Sequence, residues 1–337
     1  MQENSKLSAS EETKQPEPVP ASRWPYNWID REFAFLAQFI RDRSLDEVKN
    51  AIITNLRDLE KKNAQAYYNT INYYNKYKLW GEYYPEKDNL TLADNRAQAL
   101  WGHLKDFEWL YGRLSDYRSK KVLTNILSYW LSSDSSYTGD LSDKYYHQYF
   151  DYDILSCRQD EVIVDLGAFI GDTMIDYVKM FGAHCYKRYY CYEIVPENVH
   201  YIHKNVELYG LKNVEVREKG ASDKNGTLYL SVSGVPSISK LAENGEKTVQ
   251  TVRIDDDVPE PVSFIKMDIE GGEEQALLGC RKKILESHPK LALSVYHNHE
   301  DLWQLARIIE QTDPTYRFYL RYYGYGLLPT EYVLYAI

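Results

Sequence analysis

Between Val162 and Thr173 the chain reads VIVDLGAFIGDT. An apolar run ends at an acid, Gly167 and Gly171 bracket a turn, and Asp172 with Thr173 opens a helical pattern. Strand, glycine turn and helix in that order commit the chain to a βα unit. Four more short runs follow with helical patterns among them: RYYCYE, VEVRE, SFIKMD and LALSVY. Strands apolar throughout and separated by helices indicate a parallel sheet covered on both faces. Pro196 stands where a first helical residue would and Gly210 where a C-cap would, enclosing a helix between the second and third strands. The segment from Thr227 to about Asp255 reads as inserted antiparallel strands. YRFYLRYY and EYVLYAI close the chain around a Gly324-Tyr-Gly326 turn. So short a connection forces these two strands to pair antiparallel, because a parallel crossover needs a dozen residues or more.

Upstream of the sheet the periodicity is helical. Ser44-Leu-Asp-Glu47 has the form of a capping box, and Leu45, Val48, Ile52, Leu56 and Leu59 follow on one face. A second stripe runs Leu100, Leu104, Phe107, Tyr111 and Leu114. A third runs Val122, Leu123, Ile126, Leu127 and Trp130. These are core faces. Residues 1–22 are polar and Pro-rich and read as a disordered tail. The expected division is therefore a tail (1–22), a helical N-terminal domain (23–155) and an α/β domain (156–337).

Composition removes several functions. Hydrophobic residues make up 44% of the 337 and charged residues 27%, which supports a sizeable core. Acids outnumber Lys and Arg by 50 to 40, and no basic run appears, which argues against nucleic acid as the partner. No run of about 18 apolar residues spans a membrane, and the N-terminus lacks the apolar stretch of a signal peptide. The four cysteines contain no CxxC pair, as expected of reduced thiols in a cytoplasmic protein. Nothing in the pattern fixes the oligomeric state, and a homo-oligomer is left open.

Three acids fall at strand ends: Asp165, Glu193 and Asp268. In open α/β sheets that edge is where ligands bind. A dinucleotide site wants G-x-G-x-x-G, but Ala168 and Phe169 occupy the place of the middle glycine that would admit a pyrophosphate. An acid ahead of the first glycine would also repel phosphate and welcome a cation. S-adenosylmethionine fits these features. It carries an ammonium and a sulfonium, lacks phosphate, and offers a ribose diol to a carboxylate such as Glu193. Its own carboxylate can lie over the amides at Asp172 and Thr173.

The stretches VIVDLGAFIGDT, YCYEIVPENVHYIHKNVELYGLKNVEV and FIKMDIEGGEEQALLGCRKKI resemble the FkbM-type family of S-adenosylmethionine-dependent methyltransferases. The likeness covers about Asp160 to Ile337, and Lys266-Met-Asp268-Ile-Glu270-Gly271 is its most specific piece. It implies a Rossmann-like, seven-stranded methyltransferase sheet with an antiparallel C-terminal edge hairpin. It implies cofactor roles for Asp165, Gly167, Gly171, Glu193 and Asp268. Phe169, Asp172 and Thr173 share the first loop, and Ser222 and Asp223 follow the third strand, where this fold holds adenine. LSDYRSKKVLTNIL and HQYFDYDIL resemble a subgroup of the family, and Gln148 and Tyr149 would then cover the cofactor or merely pack. Association with the family points to O-methylation of a hydroxyl on a sugar or glycan. The alternatives are a small secondary metabolite as acceptor, or a cofactor-binding protein without catalysis.

Methyl transfer to a hydroxyl benefits from a general base. SVYHNHEDLW places His297 and His299 after the fifth strand, beside Asp268 and Glu270 after the fourth. His297 is the expected base, with Asp268 and Glu270 next. Asp268, Glu270, Glu273, His297 and His299 are acceptable metal-ligand types. Their spacing on two loops is no diagnostic signature, so no metal is assigned.

Overall fold

Ser44 and Glu47 do form a reciprocal capping box: the serine side chain accepts from the Glu47 amide and the glutamate accepts from the Ser44 amide. That closure starts one of the helices preceding the sheet. The computed structural model describes residues 27–232, 239–242, 247–325 and 330–337, with the side chains of 230–232, 239–242 and 247 left aside. The predicted tail, 1–22, and Gly326 lie outside the described residues.

The N-terminal helices are α1 (Trp28–Arg41), α2 (Leu45–Lys62), α3 (Ala64–Tyr77), α4 (Thr91–Gly102), α5 (Leu104–Arg113), α6 (Tyr117–Ser132) and the short α7 (Ser136–Gly139). Val48, Ile52 and Leu56 of α2 and the predicted stripe of α6 are buried, while Leu45 and Leu59 are partly buried against the same core. The second predicted stripe is interrupted. His103 leaves the helical backbone region, so Leu100 ends up on α4 while Leu104, Phe107 and Tyr111 ride on α5. Gly102, a weak helix former, sits at that break.

The remaining chain runs β1 (Glu161–Leu166), α8 (Asp172–Phe181), β2 (Tyr186–Tyr192), α9 (Pro196–Leu208), β3 (Val214–Arg217), β4 (Gly220–Ala221), β5 (Gly226–Val232), β6 (Ser239–Ala242) and β7 (Lys247–Val252). It continues through α10 (Ile254–Asp257), β8 (Phe264–Met267), α11 (Glu273–Leu278), α12 (Arg281–Ser287), β9 (Lys290–Ser294), α13 (Asp301–Thr312), β10 (Phe318–Tyr322) and β11 (Tyr332–Ala336). Seven strands form one sheet in the order β10-β11-β9-β8-β1-β2-β3. Its five central and edge strands from β9 to β3 are parallel, and the C-terminal β10–β11 hairpin joins antiparallel. The predicted mostly parallel sheet with an antiparallel edge hairpin is the architecture found.

The insert forms a second sheet, β4-β7-β5-β6. Its strands β5, β6 and β7 pair antiparallel, as expected of the segment from Thr227, and β4, upstream of that segment, adds a parallel pairing with β7. The residues expected to complete it near Asp255 instead turn into α10.

One buried apolar cluster runs from Phe33 and Leu56 through Trp130 to Ile265, Leu293 and Leu334, so helices and sheet share a core. Each such side chain contributes about 1.5–3 kcal/mol on burial. Polar ties reinforce the join. Arg321 on β10 meets Asp116 at 2.8 Å and Asp151 at 2.7 Å, and Trp80 Nε1 donates to the Tyr296 carbonyl at 2.8 Å. That last bond fixes the chain just past β9, where the candidate site begins.

Candidate active site

Strand order reverses between β1 and β8: the chain moves outward from β1 through β2 to β3, then returns to β8 on the other side. Loops leaving the carboxyl ends of neighbouring strands diverge there and leave a crevice. A cleft of about 570 Å³ occupies it. Gly167, Phe169, Asp172, Thr173, Glu193, Gln148, Tyr149, Asp268, Glu270 and His297 all line it. Ten of the fourteen predicted site residues are thus gathered by the fold.

The first loop needs its glycine. Gly167 has φ +78°, and a Cβ there would stand 1.8 Å from the Asp268 carbonyl oxygen. The two loops therefore touch backbone to backbone. Phe169, φ +46° and 39% exposed, presents its ring at the cleft mouth. Tyr149, Glu270 and Glu331, also cleft-lining, have φ of +71°, +60° and +66°. Side chains seldom adopt this backbone conformation, and its concentration at a cleft marks a site whose geometry is imposed by its surroundings.

Glu193 follows β2 and is nearly buried. Its Oε1 accepts from the Ile194 and Val195 amides, each at 2.8 Å. Burial raises its pKa, while those amides, that of Phe169 and the Asn198 side chain pull the other way. Burial likewise raises the pKa of Asp172, partly offset by Lys266. Asp172 is the first residue of α8 and does not cap it; Gly171, φ +81°, is the cap residue and has no side chain to offer.

Four of the predicted residues lie outside the cleft lining. Asp165 does not line the cleft. It lies within β1, paired in register with Lys266 of β8, whose Nζ is 3.0 Å from its Oδ1. Tyr189 Oη donates to its other oxygen at 3.1 Å. The cation this acid meets is therefore a lysine of the same sheet, where a ligand was expected. Gly171 sits behind the lining, its α-carbon toward Met174 and Ile202. Ser222 and Asp223 hydrogen-bond each other beyond the cleft wall, which at that point is made by Lys219, Gly220 and Ala221.

Lys266 itself lines the cleft and donates to the Gly167 carbonyl at 2.7 Å. Burial works to lower its pKa, but Asp165 and Asp268 hold it above the usual lysine value. It is a permanent cation pinning the first loop to β8. Its presence in the most specific stretch was the signal available; that it neutralises Asp165 needed the register. Sequence reasoning missed Glu331 altogether. It arrives from the segment before β11 and accepts from Gln148 Nε2 at 2.8 Å. Tyr73 and Tyr77 of α3 also line the cleft, as does Tyr296, and only tertiary packing brings them there.

His297 is 1% exposed and lies among three carboxylates. Its Nδ1 is 2.9 Å from Glu273 Oε1, and its Nε2 is 3.5 Å from Asp268 Oδ1 and 3.6 Å from Glu270 Oε2. Burial would lower its pKa. Glu273, then Asp268 and Glu270, outweigh that and push it up to about 10. With only these protein charges around it, His297 carries a proton at neutral pH and has no lone pair for an acceptor's proton. These charges disfavour the neutral imidazole that the expected base role requires. Tyr149 Oη donates to Asp268 Oδ2 at 2.7 Å, which orients that carboxylate. His299, two residues on, points away from the cleft into the aromatic core.

Residues 165–327 match the family model described as the methyltransferase FkbM domain. The structure of methyltransferase FkbM from Methylobacillus flagellatus KT is similar at 26% identity and a TM-score of 0.63, over 73% of this chain and 62% of that one. This chain thus spans less than two thirds of that protein's length. An rRNA methylase from Streptococcus thermophilus aligns at 13% identity and a TM-score of 0.37, over 53% of this chain and 87% of that one. A precorrin-6y C5,15-methyltransferase from Geobacter metallireducens GS-15 aligns at 15% and 0.35, over 53% and 81%. No curated protein matches the chain. Among the described residues no helix is long and apolar enough to cross a membrane.

Proposed function

We propose that the chain, whose residues 165–327 match the FkbM methyltransferase domain model, is an S-adenosylmethionine-dependent O-methyltransferase acting on a hydroxyl of a sugar or glycan. One observation carries the cofactor reading: a nearly buried Glu193 at the end of β2, facing the same cleft as the Gly167 turn and the start of α8. A carboxylate there accepts from a ribose diol, and the amides opening α8 suit the carboxylate of the amino-acid moiety. Asp165 acts at one remove, holding Lys266 against the first loop.

The acceptor side supports a ring-shaped polar substrate. Tyr73, Tyr77 and Tyr296 offer aromatic faces, and Asp268, Glu270 and Glu331 offer acceptors for hydroxyl groups. In-line displacement needs the hydroxyl oxygen opposite the sulfonium, so positioning supplies much of the rate. The acceptor's proton goes to Glu270, the cleft carboxylate on the short loop after β8, and the methyl carbon passes from sulfur to oxygen. Four unpaired cysteines accord with a reducing, cytoplasmic setting.

Titration calorimetry with S-adenosylmethionine tests the cofactor assignment. Glu193→Ala should lose about 1.5–3 kcal/mol of binding, the range for hydrogen bonds to a charged group. Undiminished affinity in a folded variant would overturn the pocket assignment.

A further inference from the structure

Buried polar atoms in native proteins find hydrogen-bond partners almost without exception, and a cluster of exceptions calls for a ligand. Four such atoms meet at one spot beside the cleft. Asp268 Oδ1, Glu273 Oε2 and both ring nitrogens of His297 are buried without a hydrogen-bond partner. The Glu273 oxygen 2.9 Å from Nδ1 is close enough for an ion pair, but the ring N–H is not aimed at it. One ligand atom from each of the three residues lies within 4.8 Å of the others. Glu273 and His297 are almost wholly inaccessible, and Asp268 opens to the cleft.

From this geometry we infer a divalent-cation site formed by Asp268, Glu273 and His297. The two carboxylates suit Mn²⁺, and the imidazole sets the cluster apart from the all-oxygen sets that Mg²⁺ and Ca²⁺ prefer. The ligands come from the loop after β8, the start of α11 and the segment after β9, three elements joined by the sheet and by α13. The ligand positions are set from behind. The Ile269 amide donates to Glu273 Oε1 at 2.9 Å, and Tyr149 Oη holds the far oxygen of Asp268. Such outer contacts fix ligand orientation in metal sites.

The inference rests on the methyltransferase reading for its chemical use. An acceptor hydroxyl oxygen bound to the cation becomes more acidic, because the metal charge favours the alkoxide. Its proton passes to Glu270. The oxygen then forms a bond to the methyl carbon as the carbon–sulfur bond breaks, and that electron pair returns to sulfur. The products are a methyl ether, neutral S-adenosylhomocysteine and one proton, with no oxidant or reductant needed.

The test uses the full-length chain after chelator treatment and removal of the chelator. Mn²⁺ binding is followed by loss of the free-ion electron paramagnetic resonance signal, and S-adenosylmethionine binding by calorimetry on the same samples. One Mn²⁺ per chain is expected, with binding weakened at least tenfold in His297→Ala and in Glu273→Gln. Glu286→Gln, remote from the cluster, serves as the control and should bind normally. Should Glu273→Gln fold poorly, Asp268→Asn supplies the second ligand variant. S-adenosylmethionine bound normally by a chain that takes up no Mn²⁺ at millimolar concentration would overturn the metal site and leave the cofactor reading intact. Mn²⁺ affinity equal in wild type, His297→Ala and Asp268→Asn would also overturn it. Loss of cofactor binding alone would strike the methyltransferase reading while the metal result stands.

Discussion

Two sides of one short segment, the residues after β9, have opposite physical chemistry. His297 faces the cleft among Asp268, Glu270 and Glu273, where its pKa is pushed up to about 10. His299 faces the helices. Its ring lies 4.5 Å from that of Trp130 and 5.3 Å from that of Trp80, with Arg96 nearby, and burial lowers its pKa to about 3. Both histidines are buried, so burial alone does not decide protonation. The charges that share the burial do. The chain bends and turns from His297 to Glu300, so an offset of two reverses the environment, where an extended strand would have kept both side chains on one face.

The most drastic way to break the comparison is to remove one side of it. We propose that 23–155 and 156–337 serve as acceptor-side and cofactor-side regions, but they share one core. A chain beginning at residue 156 should therefore be insoluble or lack a cooperative unfolding transition, because it exposes the sheet residues, Leu293 among them, that share a cluster with Trp130 of α6. A soluble fragment that methylates the acceptor as well as the whole chain would show the helices are dispensable.

On the cleft side, Glu270→Gln should lower turnover about 10²–10⁴-fold, the usual contribution of a general base, with cofactor affinity unchanged. Single-turnover kinetics at saturating acceptor separate this from a binding defect. A wild-type rate would move the proton-accepting role to Asp268 or to solvent.

On the core side the effect is smaller and depends on pH. His299 stays neutral in the fold, whereas in the unfolded chain it takes a proton near pH 6.5. Its contribution to stability is complete above pH 6.5 and declines as pH falls toward 3. The loss should be about 1.4 kcal/mol for each pH unit once below 6.5. Denaturant unfolding at pH 7 and pH 5 measures this, and His299→Phe, which stays in the aromatic setting without a titratable ring, should flatten the slope. An unchanged slope would mean that other groups carry the acid sensitivity.

Local chemistry had already written much of the fold into the residues. VIVDLG could only be a buried strand entering a turn, Ser44 and Glu47 could cap a helix without outside help, and YRFYLRYY had to fold back on EYVLYAI. Gly167 and Glu193 were identifiable because glycine turns and strand-end acids act through their own backbone positions. The break at His103 was less legible, since an apolar stripe survives a change of helix.

What tertiary structure decided was which charges meet. Asp165 looked like a ligand for a cation until strand register set Lys266 beside it. The protonation of His297 could not be read until α11 carried Glu273 to 2.9 Å from its ring. Glu331 and Tyr73 reach the cleft from opposite ends of the chain. Periodicity and turn chemistry depend on residues a few positions apart, so sequence alone specifies elements and their faces. Ionisation and ligand geometry depend on residues brought together across 24 to 258 positions, and only the packed sheet and helices set those distances.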